Sequence, residues 1–425
     1  MSGRTPVIPD STTQRAILRV LVQNEPISRV DIGRLTGLSP ASVTETVSTL
    51  ITDNWAYVSG EDVSTGGRRP ELLRFNRTRY AYVVTAVHPH RIHAVLLNLD
   101  PKPLHALHRA FQSPENALDT LFSTLEELLE WAKVQSVVVM GIAVSVPGTV
   151  EASTGTVGLS TLMDWHDLRL RDLLTERYSL PVNVENDANL AALAENRYGS
   201  GRDNESMIYI TTSATGGSIV IDRAIYRGST GAAGEIGHMS IRADGDQCAC
   251  GNRGCLALYA SEMALEMQVL RRLKQQIPSE LHAILDSHGR YPTAQEIMVA
   301  ARRGDSVATN ALVAVAEALA VGIINVVNLF DIWFVVLGGS FANAGPVFID
   351  RLNEIIADRA HRLYARAVHI VTADFRHAPE LIGGLMVAFE NTFGFSLKLS
   401  PAANLEAIPE SIGIPGLQGE GSPAV

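Results

Sequence analysis

Apolar residues at the start of the chain recur at the spacing of an α-helix. Over residues 14–23 a single helical face carries Ile17, Leu18, Leu21 and Val22. Two shorter helical patterns follow, one ending near Thr36 and one beginning at Ser39-Pro40. A turn of about four residues separates these two patterns, which is the spacing of a helix-turn-helix.

Capping residues mark the ends of these helices. Ser28 stands where a side-chain oxygen caps the second helix, and Gly37 stands where that helix would stop. Ser39 is followed by Pro40, a cap with proline in the first turn. The boundaries of the helix-turn-helix are therefore predicted by local chemistry.

The third helix has a core-facing side and an open side. Its apolar positions are Val43, Val47 and Leu50. In this geometry, base edges of DNA meet the open face near the N-terminus of the helix. The residues expected to lie on that face are Ser39, Ala41, Ser42, Thr44 and Glu45.

A predicted hairpin follows the helices. The segments WAYVSG and ELLRFN read as two short strands that enclose EDVSTGGRRP, with Gly66-Gly67 at its tip. Glycines remove side-chain bulk, so Arg68 and Arg69 are expected to enter a narrow minor groove, where the negative potential is strongest. The alternative is that this head is a protein-interaction module. The helices and the glycine-arginine wing together favour a head that binds double-stranded operator DNA.

The rest of the chain alternates strand and helix signals, as in an α/β protein. It is long enough for two lobes with a cleft between them. The sequence thus predicts a head over residues 1–76, an α/β body over 77–398 and a flexible Pro/Gly-rich tail over 399–425. Predicted strands cover 81–87, 136–146, 206–211 and 332–339, and predicted helices cover 117–134, 187–197, 259–274 and 307–329.

Charge is distributed unevenly between head and body. The net charge is −10, yet residues 1–75 carry eight arginines and eight acidic residues, so the whole excess lies beyond them. A neutral head permits phosphate contact, whereas the body is a poor nucleic-acid surface. With no apolar leader and no uninterrupted apolar run of membrane-spanning length, the sequence predicts a cytoplasmic protein without a membrane partner.

All three cysteines fall in one short segment. Together with His238, they form the pattern H-x9-C-x-C-x4-C through Cys248, Cys250 and Cys255. Three thiolates and one imidazole complete a tetrahedral Zn²⁺ site with no open position, which predicts a structural metal. Gly251 and Gly254 would let the loop fold tightly around the ion. The alternative is three unrelated cytosolic thiols.

Several motifs carry a specific resemblance. In order along residues 12–390, the chain contains SRVDIGRLTGLSPASVT, STGGRRPELLRFN, VSVPGTV, PVNVENDANLAALAE, RGSTGAAGEIGH and CACGNRGCLALYA. This series resembles the ROK family (repressors, open reading frames, kinases). The resemblance implies a two-lobed, sugar-kinase-like body of the actin/hexokinase type. Within the family, the winged head is typical of regulators such as the repressors of xylose and N-acetylglucosamine operons.

The resemblance also implies a sugar site. Asn186 and Asp187 would bind two adjacent hydroxyls, Glu235 and His238 would contact hydroxyls on the other side, and Gly148 would let the chain approach the ligand. His238 can do this while it holds zinc, because its two ring nitrogens are separate. The alternatives are a plain helix cap for Asn186-Asp187 and a surface carboxylate for Glu235.

Two segments depart from the family pattern at this site. An acidic residue usually stands two positions after the third cysteine, where this chain has Ala257. A segment that commonly carries Asn before Gly-Trp reads STLMDW over residues 160–165. These departures leave open an atypical effector, weak binding or no sugar at all.

Both glycine-rich phosphate turns of the family's kinases are altered. Where D-x-G-G-T is usual, the chain reads AVHPH over residues 86–90, and Pro89 has no N–H to offer a phosphate. Where G-T-G-x-G-x-G is usual, it reads TSATGGS over residues 212–218. Gly338-Gly339 persists in the nucleotide-side loop, but such a turn also serves a plain strand–helix connection. We therefore expect no kinase activity, because phosphoryl transfer needs a cradle of backbone N–H groups.

The sequence predicts a DNA-binding transcriptional regulator, a repressor of sugar-utilisation genes, which acts as a homodimer or homotetramer. A sugar or sugar derivative in a non-catalytic body would shift its affinity for the operator. Two alternatives stay open at this point. One is a sugar kinase with a DNA-binding head, and the other is a repressor controlled by a protein partner.

Overall fold

The computed structural model describes residues 8–61, 70–212, 215–360, 368–375 and 378–399. Arg68 and Arg69 of the predicted wing lie outside the described residues, and so does the predicted tail from residue 400 onward.

The head is a winged helix-turn-helix built from the elements that the sequence predicts. Strand β3 is central in its three-stranded sheet, with the order β1-β3-β2. The predicted core residues of the third helix are each 1% exposed. In chain order the elements are α1 (Thr12–Asn24), β1 (Ile27–Ser28), α2 (Arg29–Thr36), α3 (Pro40–Thr52), β2 (Ala56–Glu61) and β3 (Glu71–Phe75).

The predicted caps of the head are confirmed. Ser28 Oγ accepts a hydrogen bond from the N–H of Asp31 at 3.2 Å, and Gly37 ends α2 with a left-handed φ of 72°. Ser39 Oγ accepts from the N–H of Ser42 at 3.2 Å, with proline in the first turn of α3. Each cap satisfies backbone groups that a helix end leaves without an intrahelical partner.

The body continues with alternating strands and helices. The elements up to the middle of the chain are β4 (Tyr80–His88), β5 (Arg91–Asn98), β6 (Pro103–Ala110), α4 (Ala117–Val134), β7 (Val138–Val146), β8 (Thr149–Glu151), β9 (Thr156–Ser160), β10 (Trp165–Leu168), α5 (Leu170–Tyr178), β11 (Val182–Asn186) and α6 (Asp187–Tyr198). The remaining elements are β12 (Met207–Thr211), β13 (Gly216–Ile221), β14 (Ala224–Ile225), α7 (Ala257–Ala260), α8 (Glu262–Lys274), α9 (His282–His288), α10 (Ala294–Arg302), α11 (Ser306–Phe330), β15 (Phe334–Gly338), α12 (Pro346–Arg359), β16 (His369–Thr372) and α13 (Pro379–Phe393).

Backbone contacts divide the chain into two units. The first contains the residues up to Val146, Arg169–Val184 and the residues from Gly384 onward. The second contains Pro147–Leu168 and Glu185–Gly383. The head and the first part of the body therefore belong to the same unit.

The first unit is organised around a mixed five-stranded sheet with the order β11-β7-β4-β5-β6. The head packs on β4 and on the end of α13 through aromatic rings. Trp55 stacks on Tyr80 with 3.9 Å between ring centroids and meets Phe393 edge-on at 5.5 Å. A buried ion pair supports this contact, since Arg77 Nε lies 2.6 Å from Glu25 Oε1.

The second unit is organised around a sheet with the order β14-β13-β12-β15-β16, in which β12, β15 and β16 are parallel. Its core forms around α11, where Leu312, Leu319 and Ile323 are 0–1% exposed. Within the described part of the chain, α11 alone is long and apolar enough to cross a membrane. Because 56% of its most apolar stretch is buried against its neighbours, it has the character of a core helix.

The prediction of one continuous helix over residues 259–274 is wrong. The structure has two helices there, because α7 ends at Ala260 and α8 starts at Glu262. Between them, Ser261 has extended backbone and its side chain accepts a hydrogen bond from the N–H of Ala264. A serine cap thus starts a new helix inside a continuous apolar pattern.

Candidate functional site

The predicted metal ligands converge in the second unit. The four ligand atoms of His238, Cys248, Cys250 and Cys255 all lie within 4.8 Å of one another. His238 Nδ1 lies 3.7 Å from Cys248 Sγ, and Cys250 Sγ lies 3.7 Å from Cys255 Sγ. With Zn–S bonds of about 2.3 Å, a tetrahedral site requires sulfur atoms about 3.8 Å apart. The donor set therefore fits a closed Zn²⁺ site.

The loop that carries these ligands depends on its glycines. Gly254 has a φ of 64°, and a Cβ there would lie 1.7 Å from the carbonyl oxygen of Arg242. Gly251 also has a left-handed φ, of 91°. The N–H of Cys248 donates to the carbonyl of Asn252 at 2.8 Å and closes a turn that contains Gly251. The tight folding that the sequence predicts is present.

Asn186 ends β11 and caps α6. Its Oδ1 accepts a hydrogen bond from the N–H of Asn189 at 3.0 Å, and its Nδ2 donates to the carbonyl of Gly148 at 2.9 Å. An amide side chain has two acceptor sites and two donor hydrogens, so one of each remains for a ligand. The cap interpretation is therefore correct, and it leaves Asn186 able to bind a hydroxyl.

Asp187 follows at the first position of α6. Its carboxylate accepts a hydrogen bond from the N–H of Ala188 at 2.8 Å. The pKa of Asp187 is raised to about 6, chiefly by burial and also by the charge of Glu235, while the hydrogen bond from the Ala188 N–H opposes the shift. Burial also raises the pKa of Glu235, and His238 partly offsets that shift. The two pKa values are thus shifted in the same direction, and the side chain of Glu235 keeps 38% of its surface exposed.

His238 connects the metal ligands to these carboxyls. Its Nδ1 faces Cys248, whereas its Nε2 lies 4.0 Å from Glu235 Oε2. The two ring nitrogens therefore point to different partners. A metal on Nδ1 would fix the ring and leave Nε2 on the side of Glu235.

Gly148 and Gly237 both allow close approach between chain segments. Gly148 has a φ of 113°, and a Cβ there would lie 2.3 Å from the carbonyl oxygen of Leu159. A Cβ on Gly237 would lie 1.9 Å from the carbonyl of Thr215 and 3.5 Å from Cβ of Ala257. The departure at Ala257 thus lies beside the loop that carries Glu235 and His238. We call Gly148, Asn186, Asp187, Glu235 and His238 the effector site.

Pro89, His90 and Thr212, from the segments predicted to have lost phosphate binding, make contacts within the fold. Pro89 and His90 form a tight hairpin turn between β4 and β5, closed by the pair His88 and Arg91. In the second unit, Thr212 Oγ1 donates to the carbonyl of Gly338 at 3.0 Å and accepts from the N–H of Phe341 at 3.1 Å. The hydroxyl of Thr212 therefore forms hydrogen bonds with backbone groups at the end of β15 and just after it.

Sequence reasoning missed a group of polar residues beside the effector site. Glu185 precedes Asn186 on β11 and is almost completely buried. Its carboxylate accepts a hydrogen bond from Arg227, which lies 42 positions later in the sequence. Asn189 and Ser218 extend the same group. A buried acid needs a partner, but the sequence gives no signal that identifies Arg227 as that partner.

The predicted DNA-contact residues of α3 are accessible to different degrees. Ser39, Ala41 and Thr44 are exposed, and Ser42 is partly buried. Thr44 Oγ1 donates to the carbonyl of Pro40 at 2.8 Å, so its hydroxyl is oriented along its own helix. Because α3 contains no lysine or arginine, positive charge for phosphate contact must come from other parts of the head.

Comparison with known proteins gives two matching family profiles. The profile of the ROK family matches residues 89–391. A profile described as winged helix-turn-helix DNA-binding matches residues 10–55. The first range contains every residue of the effector site and of the metal site, and the second contains the helix-turn-helix.

Individual relatives match over most of the chain. The xylose repressor of Caldicellulosiruptor bescii is 30% identical over 383 residues, covering 89% of this chain and 96% of the relative. The crystal structure of a ROK family transcriptional regulator, a homologue of the Escherichia coli MLC protein, superposes with a TM-score of 0.77 and 25% identity. It covers 91% of this chain and 98% of the regulator. A ROK family glucokinase from Streptomyces griseus, solved with glucose and AMPPNP, has a TM-score of 0.64 and 26% identity. It covers 73% of this chain and 99% of the kinase.

Proposed function

Because this chain belongs to the ROK family and carries a winged helix-turn-helix head, we propose that it is a sugar-responsive repressor of transcription. The head would bind double-stranded operator DNA, and a sugar or sugar derivative in the effector site would change the affinity for that DNA. Such coupling requires that the sugar bind two states of the protein unequally.

The observation that carries this proposal is the unused hydrogen-bonding capacity of the effector site. Asn186 keeps one donor and one acceptor, and Asp187 uses one carboxylate oxygen for a single backbone N–H. Glu235 and His238 supply further polar atoms from a second segment. Polyols are recognised by buried polar groups of this kind, which lose free energy when no hydroxyl pairs with them.

We propose that His238, Cys248, Cys250 and Cys255 hold a structural Zn²⁺. The four protein ligands leave no position for water or substrate, so the ion would stabilise the loop rather than activate a reaction. Its contribution to function would be indirect: it would fix the ring of His238 and thereby the nitrogen that faces Glu235.

The alternative enzyme function is a sugar kinase with a DNA-binding head. Asp187 favours it, because a buried carboxyl with a raised pKa suits a general base. The altered phosphate turns argue against it, since Pro89 donates no N–H and the hydroxyl of Thr212 occupies the N–H of Phe341. We propose that no phosphoryl transfer occurs. A coupled ADP-release assay with ATP and D-glucose, D-xylose or N-acetyl-D-glucosamine would reveal any such activity.

We further propose that the protein acts in the cytoplasm as a homodimer or homotetramer. Two copies of a helix-turn-helix bind half-sites one helical turn of DNA apart, which matches a palindromic operator. Control by a protein partner in place of a sugar is the second alternative, and the substitution at Ala257 favours it.

A thermal-shift screen of the zinc-loaded protein tests the effector. The panel contains D-xylose, D-glucose, N-acetyl-D-glucosamine and their phosphates, with Asp187→Ala as the control variant. A ligand at a hundred times its Kd stabilises the folded state by about 2.7 kcal/mol, so one class of sugar should raise the melting temperature of the wild type only. If no sugar in the panel raises the melting temperature, control by a protein partner is supported instead.

A further inference from the structure

A chain of hydrogen bonds runs beneath the effector site from β13 to the segment after β14. Ser218 Oγ donates to Asn189 Oδ1 at 2.7 Å, and Asn189 Nδ2 donates to Glu185 Oε1 at 2.9 Å. The backbone N–H of Asn186 donates to the same Glu185 oxygen at 3.0 Å. Arg227 completes the chain, because its Nε and Nη2 both donate to Glu185 Oε2, at 2.9 and 2.7 Å.

The chain is built around a carboxylate removed from water. The side chain of Glu185 is 4% exposed, whereas that of Arg227 is 38% exposed. The two Glu185 oxygens have different partners: one accepts from β11 and α6, and the other accepts, among the described residues, from Arg227. A buried carboxylate without its cation would be left uncompensated, and Arg227 is the cation that pairs with Glu185 here.

The same arginine begins the segment that leads to Glu235. The N–H of Ala233 donates to the carbonyl of Arg227 at 3.2 Å and closes this segment on itself. Its glycines lie directly against neighbouring strands: a Cβ on Gly231 would lie 2.1 Å from the carbonyl of Val150, and one on Gly234 would lie 2.7 Å from that of Gly217. Arg227 therefore stands at the start of a segment that is closed on itself and packed against two strands.

We propose that Arg227 is a positioning residue of the effector site, acting through Glu185. The ion pair sets the spacing between Asn186 and Asp187 on one side and Glu235 and His238 on the other. This inference rests on the proposed function only for the identity of the ligand, because the ordering of residues 228–238 by Arg227 is a property of the ligand-free protein. Ser218, in the segment that corresponds to a kinase phosphate turn, anchors the far end of the chain.

The test compares four variants of the full-length, zinc-loaded protein. Arg227→Met removes the cation and keeps the stem, and Arg227→Lys keeps the charge without the bidentate geometry. The double variant Glu185→Gln with Arg227→Met removes both charges, so that no uncompensated carboxylate opposes folding. Arg290→Met is the control, because Arg290 also donates two hydrogen bonds to one carboxylate group, that of Glu296 in the first turn of α10.

Hydrogen exchange of residues 228–238 in the absence of ligand is the first measurement. We expect exchange to accelerate about tenfold or more in Arg227→Met and in the double variant, to recover partly in Arg227→Lys and to stay unchanged in Arg290→Met. The double variant should regain the thermal stability that Arg227→Met loses, without regaining protection of this segment. Wild-type exchange in the double variant would overturn the proposal, since the pair would then contribute stability alone.

Calorimetric titration with D-xylose and N-acetyl-D-glucosamine is the second measurement. For a probe that binds the wild type, Kd should rise at least about tenfold in Arg227→Met and in the double variant, and less in Arg227→Lys. Unchanged Kd in the double variant would contradict the positioning role. If neither probe binds the wild type, these two sugars are excluded as effectors, and the exchange measurement still decides the role of Arg227.

Discussion

Three carboxylates of the second unit, those of Glu185, Glu195 and Asp187, differ in how they are satisfied. Glu185 is paired with Arg227 at 2.7 Å. Glu195 accepts backbone N–H groups from Ser200 and Phe375 at 2.9 and 2.8 Å. Asp187 has one backbone N–H and faces the like charge of Glu235. Of the three, Asp187 has the fewest hydrogen-bond partners among the described residues, as expected if it binds a ligand.

Asp187→Asn should change the pH dependence of stability. The pKa of Asp187 in the folded protein is raised to about 6 from 3.8, so folding penalises its charged form. The folded wild type therefore loses stability as the pH rises from about 4 to about 6, by up to about 3 kcal/mol. Asparagine removes this penalty. The variant should be more stable than the wild type above pH ~6 and equally stable near pH ~4.

Urea unfolding of both proteins across this pH range measures the effect. Taking the difference between variant and wild type cancels contributions from other groups, including any loss of metal at low pH. A difference that stays constant from pH ~4 to pH ~8 would mean that the carboxyl of Asp187 titrates normally.

At the scale of elements, the features that could be predicted from the sequence are those that depend on residues close together in the chain. Helix α4 covers the predicted residues 117–134, because the apolar period and its ends lie within the helix itself. The metal loop was predictable for the same reason, since three of its ligands lie within eight residues. Tertiary pairs were not predictable: nothing near Trp55 in the sequence indicates that it packs against Phe393.

The metal loop should fold only with its ion. Cys250→Ser removes one of four ligands and should lower zinc stoichiometry and the melting temperature together, because binding free energy of a structural site is folding free energy. Ala249→Ser is the control, since it places a serine at the adjacent exposed position and changes no ligand. Zinc content by atomic emission and thermal unfolding are measured on both. A Cys250→Ser protein with wild-type stability and no metal would exclude a structural role.

Trp55→Ala should loosen the attachment of the head within the first unit. Trp55 is 1% exposed and stacks on Tyr80, and removing a buried tryptophan costs about 3–5 kcal/mol. Trp333→Ala is the control, because Trp333 is 46% exposed. The urea concentration at the midpoint of unfolding should be well below that of the control for Trp55→Ala. Equal midpoints would mean that the aromatic contact contributes little to stability.

At the scale of the whole molecule, charge is distributed differently over the head, which is proposed to bind DNA, and the body, which is proposed to bind the effector. The chain carries a net charge of −10, and the head contributes none of it. An acidic body repels the DNA backbone, so the neutral head is the part that can approach phosphates. The residues proposed to bind sugar, by contrast, all belong to the second unit, which contains Pro147–Leu168 and Glu185–Gly383. The proposal therefore assigns recognition of DNA and of the effector to different parts of one chain.

The most direct test of the account measures operator affinity with and without a sugar. Binding sites are first selected from a random double-stranded DNA library with the zinc-loaded protein, and affinity is then measured by fluorescence anisotropy at fixed salt. The account predicts specific binding with a Kd of about 10⁻⁸ to 10⁻¹¹ M. One class of sugar should weaken it by about 5- to 150-fold, and Asp187→Ala should bind the same DNA without responding. Specific binding that no sugar alters would contradict sugar control, and the absence of any selected sequence would contradict the assignment as a repressor.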